Sequence, residues 1–300
     1  MKIVITGSLG NISKPLAEAL IQKGHEVTVI SSNAGRKNEI ESLGAKAAIG
    51  TMQDVDFLTK TFTGADIVYC METLGHGFFF NQRLDYMSAI INIGNNYKQA
   101  VLQSGVKKVI HLSSIGAHTD KGNGMLAFHH KVEKILEELP DDISIKFMRP
   151  VGFYYNMLAF IPVIKSAGSI IQNYGGDEKE PWVSPADIAT VIAEEIEEQF
   201  EGRMIRYIAS DEASPNEIAK LLGEAIGKPD LKWIAIPDEQ MLSNMIAAGM
   251  NPKIAKGLVE MNAGRRGGVL YQDYYRNHPT LCKTKLKDFA KDFATAFLQS

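Results

Sequence analysis

The chain has 300 residues, 45% apolar and 22% charged, a globular composition that excludes a disordered, collagen-like or coiled-coil chain. Lys and Arg number 32 against 35 Asp and Glu, a net charge of −3, so nothing electrostatic favours nucleic acid as the main partner. Two cysteines, Cys70 and Cys282, cannot build a disulfide framework and fit a reducing compartment, and no apolar run approaches the ~18 residues of a membrane helix.

The N-terminus, Met1-Lys2-Ile3-Val4-Ile5, reaches Gly7 too soon for a signal peptide core. The expectation is therefore a cytoplasmic protein without a membrane partner. Short apolar runs rich in Ile and Val predict strands over 2–6, 26–31, 45–49, 66–71, 107–112 and 143–148. Amphipathic stretches between them predict helices over 12–23, 36–43, 54–62, 83–104 and 126–139. Gly24, Gly44, Gly64 and Gly105 each close a helix before a strand. Strand-helix alternation at this rhythm makes a parallel, doubly wound α/β sheet of the Rossmann type over residues 1–150.

After Pro150 the rhythm changes. Residues 152–176 are rich in aromatics and lead into a polar turn over 173–180. A helix starts near Ser184, a strand covers 204–209, and a helix covers 214–226 with Ser214 as N-cap and Pro215 in its first turn. Helices follow over 238–248, 252–261 and 283–298. Residues 151–300 thus read as a smaller mixed α/β lobe packed on the first domain, with segments free to return to its sheet.

The run Thr6-Gly7-Ser8-Leu9-Gly10-Asn11-Ile12-Ser13 follows the first strand and opens the first helix. Glycines there let the backbone approach a pyrophosphate, which sits at the positive helix N-terminus. Small Ser13 suits the position of close helix–strand packing. This places Thr6, Gly7, Ser8, Leu9, Gly10, Asn11 and Ile12 at a dinucleotide. The second strand ends Ile30-Ser31-Ser32-Asn33, without the acid that grips an NAD ribose. Arg36 and Lys37 follow within reach of a 2′-phosphate. Ser31, Ser32, Asn33, Arg36 and Lys37 therefore favour NADP(H) over NAD(H).

With these residues in hand, the chain resembles the NmrA-like family of atypical short-chain dehydrogenases/reductases. The marks are Gly7-x-x-Gly10, Gly50-x-x-x-Asp54-x-x-x-Leu58 and Gly64-Ala65-Asp66-Ile67-Val68. To these add the segment from Gly105 to Ala117 containing Ser113-Ser114, then Arg149-Pro150 and Ser184-Pro185-Ala186-Asp187-Ile188-Ala189. The resemblance implies either an NAD(P)H-dependent reductase of quinones or aromatic compounds, or a regulator that binds the dinucleotide without turning it over. Met71, at the end of the fourth strand, and Pro150, after the sixth, are expected cofactor neighbours. The sequence leaves a homodimer open.

Ordinary short-chain dehydrogenases carry Tyr-x-x-x-Lys on one helical face. Here Lys131 has Ala127 four residues before it, and the tyrosine is absent. Phe128-x-x-Lys131 looks like the stretch of the aromatic ether reductases in which the lysine is the acid/base. Lys131 either moves a proton or only grips the ribose, and the second reading is preferred. Quinone reduction does not need the tyrosine, because its proton can come from water or a histidine.

His129 and His130 point about 100° apart on a helix and cannot chelate one metal, so no metal is expected. His130 is a candidate proton donor, with a merely structural histidine as the alternative. Ser113 or Ser114, after the fifth strand, is placed near the nicotinamide. His76 and His118 lie in loops near the same end. Cys70 reads as a core thiol. Phe78-Phe79-Phe80 and Phe153-Tyr154-Tyr155-Asn156 suit the walls of a pocket for a small, flat, apolar substrate; Tyr154 is the polar-tipped candidate, and core packing is the alternative. Arg265-Arg266-Gly267-Gly268, followed by Tyr271, Tyr274 and Tyr275, could cover the pocket or bind a partner, but a solvated loop is the preferred reading. The catalytic candidates are Lys131, His130, Ser113 and Tyr154.

Overall fold

The computed structural model describes residues 1–75 and 77–300; His76 lies outside the described residues. The strands are β1 (Lys2–Ile5), β2 (Glu26–Ser31), β3 (Lys46–Ile49), β4 (Ile67–Cys70), β5 (Lys108–Leu112), β6 (Ser144–Pro150), β7 (Gly152–Phe153), β8 (Ser169–Gln172), β9 (Glu180–Val183), β10 (Arg203–Ile208), β11 (Asp211–Ala213) and β12 (Lys232–Ala235). The helices are α1 (Ser13–Gln22), α2 (Lys37–Ser42), α3 (Val55–Phe62), α4 (Tyr86–Ser104), α5 (Ala127–Glu137), α6 (Ile161–Ala167), α7 (Pro185–Glu197), α8 (Pro215–Ala225), α9 (Asp238–Ala247), α10 (Pro252–Arg266), α11 (Gln272–Asn277) and α12 (Leu286–Gln299).

Seven strands form a parallel sheet in the order β10-β6-β5-β4-β1-β2-β3. The doubly wound α/β fold with a smaller mixed lobe is thus the observed architecture. The chain reverses direction of winding between β1 and β4, so a crevice opens at the carboxyl ends of those strands, where such sheets bind ligands. The seventh strand, β10, comes from beyond residue 150: Arg203–Ile208 pairs with Ile145–Pro150.

Both faces of the sheet are covered because both faces of its strands are apolar. Ile3, Ile5, Leu16, Leu20, Ile188 and Ile192 fill the side under α1 and α7. Val4, Val68, Ile93, Tyr97, Val132 and Leu136 fill the side under α3, α4 and α5. Helix starts follow local chemistry. The carboxylates of Asp54 and Asp85 accept from Phe57 N and Ser88 N, and Ser214 forms a reciprocal capping box with Glu217.

The lobe has its own core, in which Tyr154, Met157, Trp182, Trp233, Phe289 and Phe293 pack together. Its short strands form two small sheets, β11-β9-β7 and β12-β8. Helix α10 lies close on the turn before α5. A Cβ on Gly124 (φ +53°) would sit 2.2 Å from Gly257 O, so only glycine allows this approach. Two expectations need correction. The stretch read as a polar turn over 173–180 runs into β9, and Arg265 and Arg266 are the last turn of α10 rather than a loop. Among the described residues, no helix is long and apolar enough to cross a membrane.

Candidate functional site

The glycine loop leaves β1 at the crevice. Gly7 has φ +87° and Ser8 φ +55°, so two successive residues adopt the left-handed conformation that side chains disfavour. A Cβ on Gly7 would stand 2.6 Å from Ser13 Oγ and 2.9 Å from Met71 Sδ. The loop is held from below. Ser13 Oγ donates to Thr6 O at 2.9 Å, and Met71 N donates to Thr6 Oγ1 at 2.9 Å. The buried Tyr97 hydroxyl donates to Met71 O at 2.6 Å. Both backbone polar groups of Met71 are therefore fixed, its N–H by the loop and its carbonyl by Tyr97 of α4. Gly10 packs inside it, its N–H donating to Gly7 O at 3.2 Å; Leu9 and Ile12 point into the core, and Asn11 is exposed.

Ser8, Ser31 and Arg36 come together beside this loop. Ser8 Oγ donates to Ser31 Oγ at 2.9 Å, and Arg36 Nη1 lies 3.5 Å from Ser8 Oγ. Ser31 is buried at the end of β2, while Arg36 is half-buried. Asn33 caps the following turn, its Oδ1 accepting from Gly35 N at 2.9 Å. Among the described residues, no carboxylate contacts Ser8, Ser31 or Arg36. Ser32 is exposed, and the Lys37 side chain is 59% exposed beside Glu41 at 3.9 Å, so these two stand outside the cluster.

The next strands end at the same level. Ser113 N donates to Met148 O and Ile115 N to Pro150 O, each at 2.8 Å. The serine turn and Pro150 thus leave the sheet side by side. Ser113 is 2% exposed, and its hydroxyl donates to Glu133 Oε1 at 2.5 Å. Its proton is committed to that carboxylate. Ser114 is half-buried, with no side-chain hydrogen bond among the described residues. On α5, Lys131 is exposed and free of such partners. His130 Nδ1–H donates to Ala117 O at 2.9 Å, tying α5 to the serine turn and leaving Nε2 as the unbonded ring atom. His129 is held neutral by burial and by His111 nearby, which push its pKa well below the ordinary value. Burial likewise pushes His118 down.

Tyr154 is not brought to this crevice. It is 1% exposed, stacks on Phe289 at 5.5 Å and donates to Thr284 O at 3.3 Å. Its ring serves the lobe core, because an aromatic body buries best against other rings there; Tyr155, next to it, is exposed. Cys70 is fully buried, and burial pushes its thiol up, as a core residue requires. Arg265 also differs from expectation: its guanidinium stacks on Tyr174 and Trp182 and pairs with Glu180.

Two buried polar groups escaped the reading of the sequence. Glu72 and His111, at the ends of β4 and β5, pair at 3.0 Å with fully buried side chains. Glu133 receives Ser113 and Arg149 together. The available signal was a charge or imidazole set inside an apolar strand or on the apolar stripe of α5. Among the described residues, no group of three or more His, Cys, Asp or Glu has a metal-holding arrangement.

The sequence profile of the NmrA-like family matches residues 1–266. The chain belongs to the NmrA-like family. Relatives of this family member include an NAD(P)H azoreductase of Xenophilus azovorans, 22% identical over 262 residues, or 87% of this chain and 86% of the relative. An NADPH-dependent quinone oxidoreductase from Escherichia coli, solved with NADPH, superposes with a TM-score of 0.79 at 21% identity, covering 97% of this chain and 99% of that one. The triphenylmethane reductase of a Citrobacter species, solved with NADP(H), gives 0.74 at 16% identity over 97% and 99%. These superpositions show the shared fold.

Proposed function

We propose that the chain is an NADPH-dependent reductase of a quinone or a similar flat carbonyl compound. The observation that carries this reading is the cluster of Ser8, Ser31 and Arg36 beside the glycine loop. Two hydroxyls and a guanidinium, with no carboxylate against them among the described residues, form a receptor for a phosphate dianion. The loop itself fits a pyrophosphate. Its backbone turns at Gly7 and Ser8, and a side chain at Gly7 would strike Ser13 and Met71. Relatives named as an NAD(P)H azoreductase, a quinone oxidoreductase and a triphenylmethane dye reductase support the same substrate class.

The dinucleotide, when bound, supplies a hydride. Gly7, Ser8 and Gly10 would hold its pyrophosphate, and Arg36 with Ser31 its 2′-phosphate. Lys131, free of side-chain partners among the described residues, would grip the ribose by the nicotinamide. Met71, fixed through both backbone groups, would wall that end of the crevice. A quinone needs one hydride and one proton overall to become the hydroquinone. No side chain has to deliver that proton, since water reaches an exposed lysine and a half-buried serine.

One observation favours a second reading. The tyrosine expected before Lys131 is Ala127, Tyr154 lies in the lobe core, and the Ser113 proton belongs to Glu133. A regulator that binds the dinucleotide without turnover would show the same lack. NADPH oxidation with a panel of quinones separates the two. Acceptor-dependent oxidation above background is the expected result. Tight NADPH binding without oxidation by any acceptor would contradict the reductase and support the regulator.

A further inference from the structure

A buried polar chain runs from the serine turn to the C-terminal lobe. Glu133, 2% exposed on the inner side of α5, accepts from Ser113 Oγ at 2.5 Å and from Arg149 Nε at 2.9 Å on Oε1. Its Oε2 accepts from Arg149 Nη2 at 2.6 Å. Arg149, 4% exposed at the end of β6, has its remaining nitrogen, Nη1, 3.1 Å from Asp273 Oδ2 and 3.1 Å from the Tyr207 hydroxyl. Tyr207 in turn donates to Asp273 Oδ2 at 2.7 Å. Asp273 belongs to α11, in the lobe.

The guanidinium is planar and rigid, and two of its three nitrogens are clamped to one carboxylate. Its third nitrogen cannot follow α11 without tilting the whole fork. A tilt pulls on Glu133, and Glu133 holds the Ser113 hydroxyl. Water does not compete for these bonds, since every group but Asp273 is buried. Glu133 also stands two residues beyond Lys131 on α5. We propose that Glu133 and Arg149 are positioning residues: they transmit the seating of α11 to the serine turn, so acceptor turnover depends on Asp273 while dinucleotide affinity does not. Ser113 is an attachment point in this strut, and Ser114 is the hydroxyl left to face the crevice.

The turnover half rests on the reductase reading; the structural half does not. Asp273 is the place to test it, because its side chain is 25% exposed and replacing it removes neither Glu133 nor Arg149. Hydrogen exchange is measured on the full chain at the amides of Ser113, Ile115 and Ala117, which donate to the Met148, Pro150 and Ser114 carbonyls in that order. Asp273→Asn should speed exchange there about threefold or more, although the change lies in another element. It should lower kcat with a quinone by about three- to tenfold and leave the NADPH Kd within about twofold. Asp273→Glu should recover both. Exchange altered only over 272–277, or a loss of NADPH affinity matching that of kcat, would overturn the proposal. Should the parent protein turn over no acceptor, the reductase reading fails, and the exchange measurement alone decides whether the strut transmits.

Discussion

At the scale of single residues, Arg36 bears most on cofactor choice. It reaches Ser8, which bonds Ser31, and among the described residues no carboxylate pairs with it, so its charge is available to a ligand. Arg36→Ala should cost NADPH about 1.5–3 kcal/mol, the worth of one charged hydrogen bond, or roughly tenfold to over a hundredfold in Kd. NADH, which lacks the phosphate, should lose little. Calorimetric titration of both dinucleotides checks this, and equal losses would remove Arg36 from the phosphate site. Tyr154 and Arg265 teach the opposite lesson. Polar-tipped or charged side chains in an aromatic stretch read as site or surface. Yet Tyr154 is satisfied by Thr284 O, 130 residues away, and Arg265 by Glu180, 85 away. Partners at that separation leave no local pattern.

At the scale of elements, α5 carries Lys131 on its exposed side and Glu133 on its buried one. A lysine that only grips ribose contributes equally to ground and transition states. Lys131→Met keeps the stem and removes the donor, so NADPH affinity should fall about tenfold with kcat little changed. A kcat loss of about a hundredfold with affinity intact would instead mark Lys131 as the acid/base. Saturation kinetics with a quinone distinguishes these patterns.

The adjacent ends of β4 and β5 make a pH-dependent contribution. Burial alone would push the His111 pKa down, but the charge and hydrogen bond of Glu72 outweigh it and hold the pKa above the ordinary 6.5. The folded protein therefore keeps this proton more firmly than the unfolded chain. The stabilisation is fully present below about pH 6.5 and is lost as pH rises through the raised value. The Tm should fall across that rise, and Glu72→Gln should flatten the dependence. A variant with the parent's full slope would contradict the assignment.

The strand-helix rhythm of the first 150 residues was legible because each element there declares itself locally, by an apolar run, a cap or a closing glycine. Gly7, Ser8, Ser31 and Arg36 were legible for the same reason, being tied to the first two strand ends. The lobe strands were not. Phe153 is one of only two residues in β7, β9 carries Pro181, and β8 pairs with β12 some sixty residues later. Such strands are fixed by tertiary packing, not by propensity. The buried chain from Ser113 to Asp273 was hidden too, since sequence shows charges but not which of them meet.

At the scale of the whole molecule, the sheet supplies a crevice at the carboxyl ends of β1 and β4, and the lobe is joined to the first 150 residues through α10, α11 and the returning strand β10. In the proposed reading, this crevice binds NADPH with its 2′-phosphate at Ser8, Ser31 and Arg36. A crystal structure of the protein with NADPH tests it most directly. The pyrophosphate is expected on Gly7–Gly10, the 2′-phosphate within hydrogen-bond distance of Arg36, and the nicotinamide end beside Met71 and Ser114. A dinucleotide lying elsewhere on the protein, or one whose 2′-phosphate points to solvent away from Arg36, would contradict it.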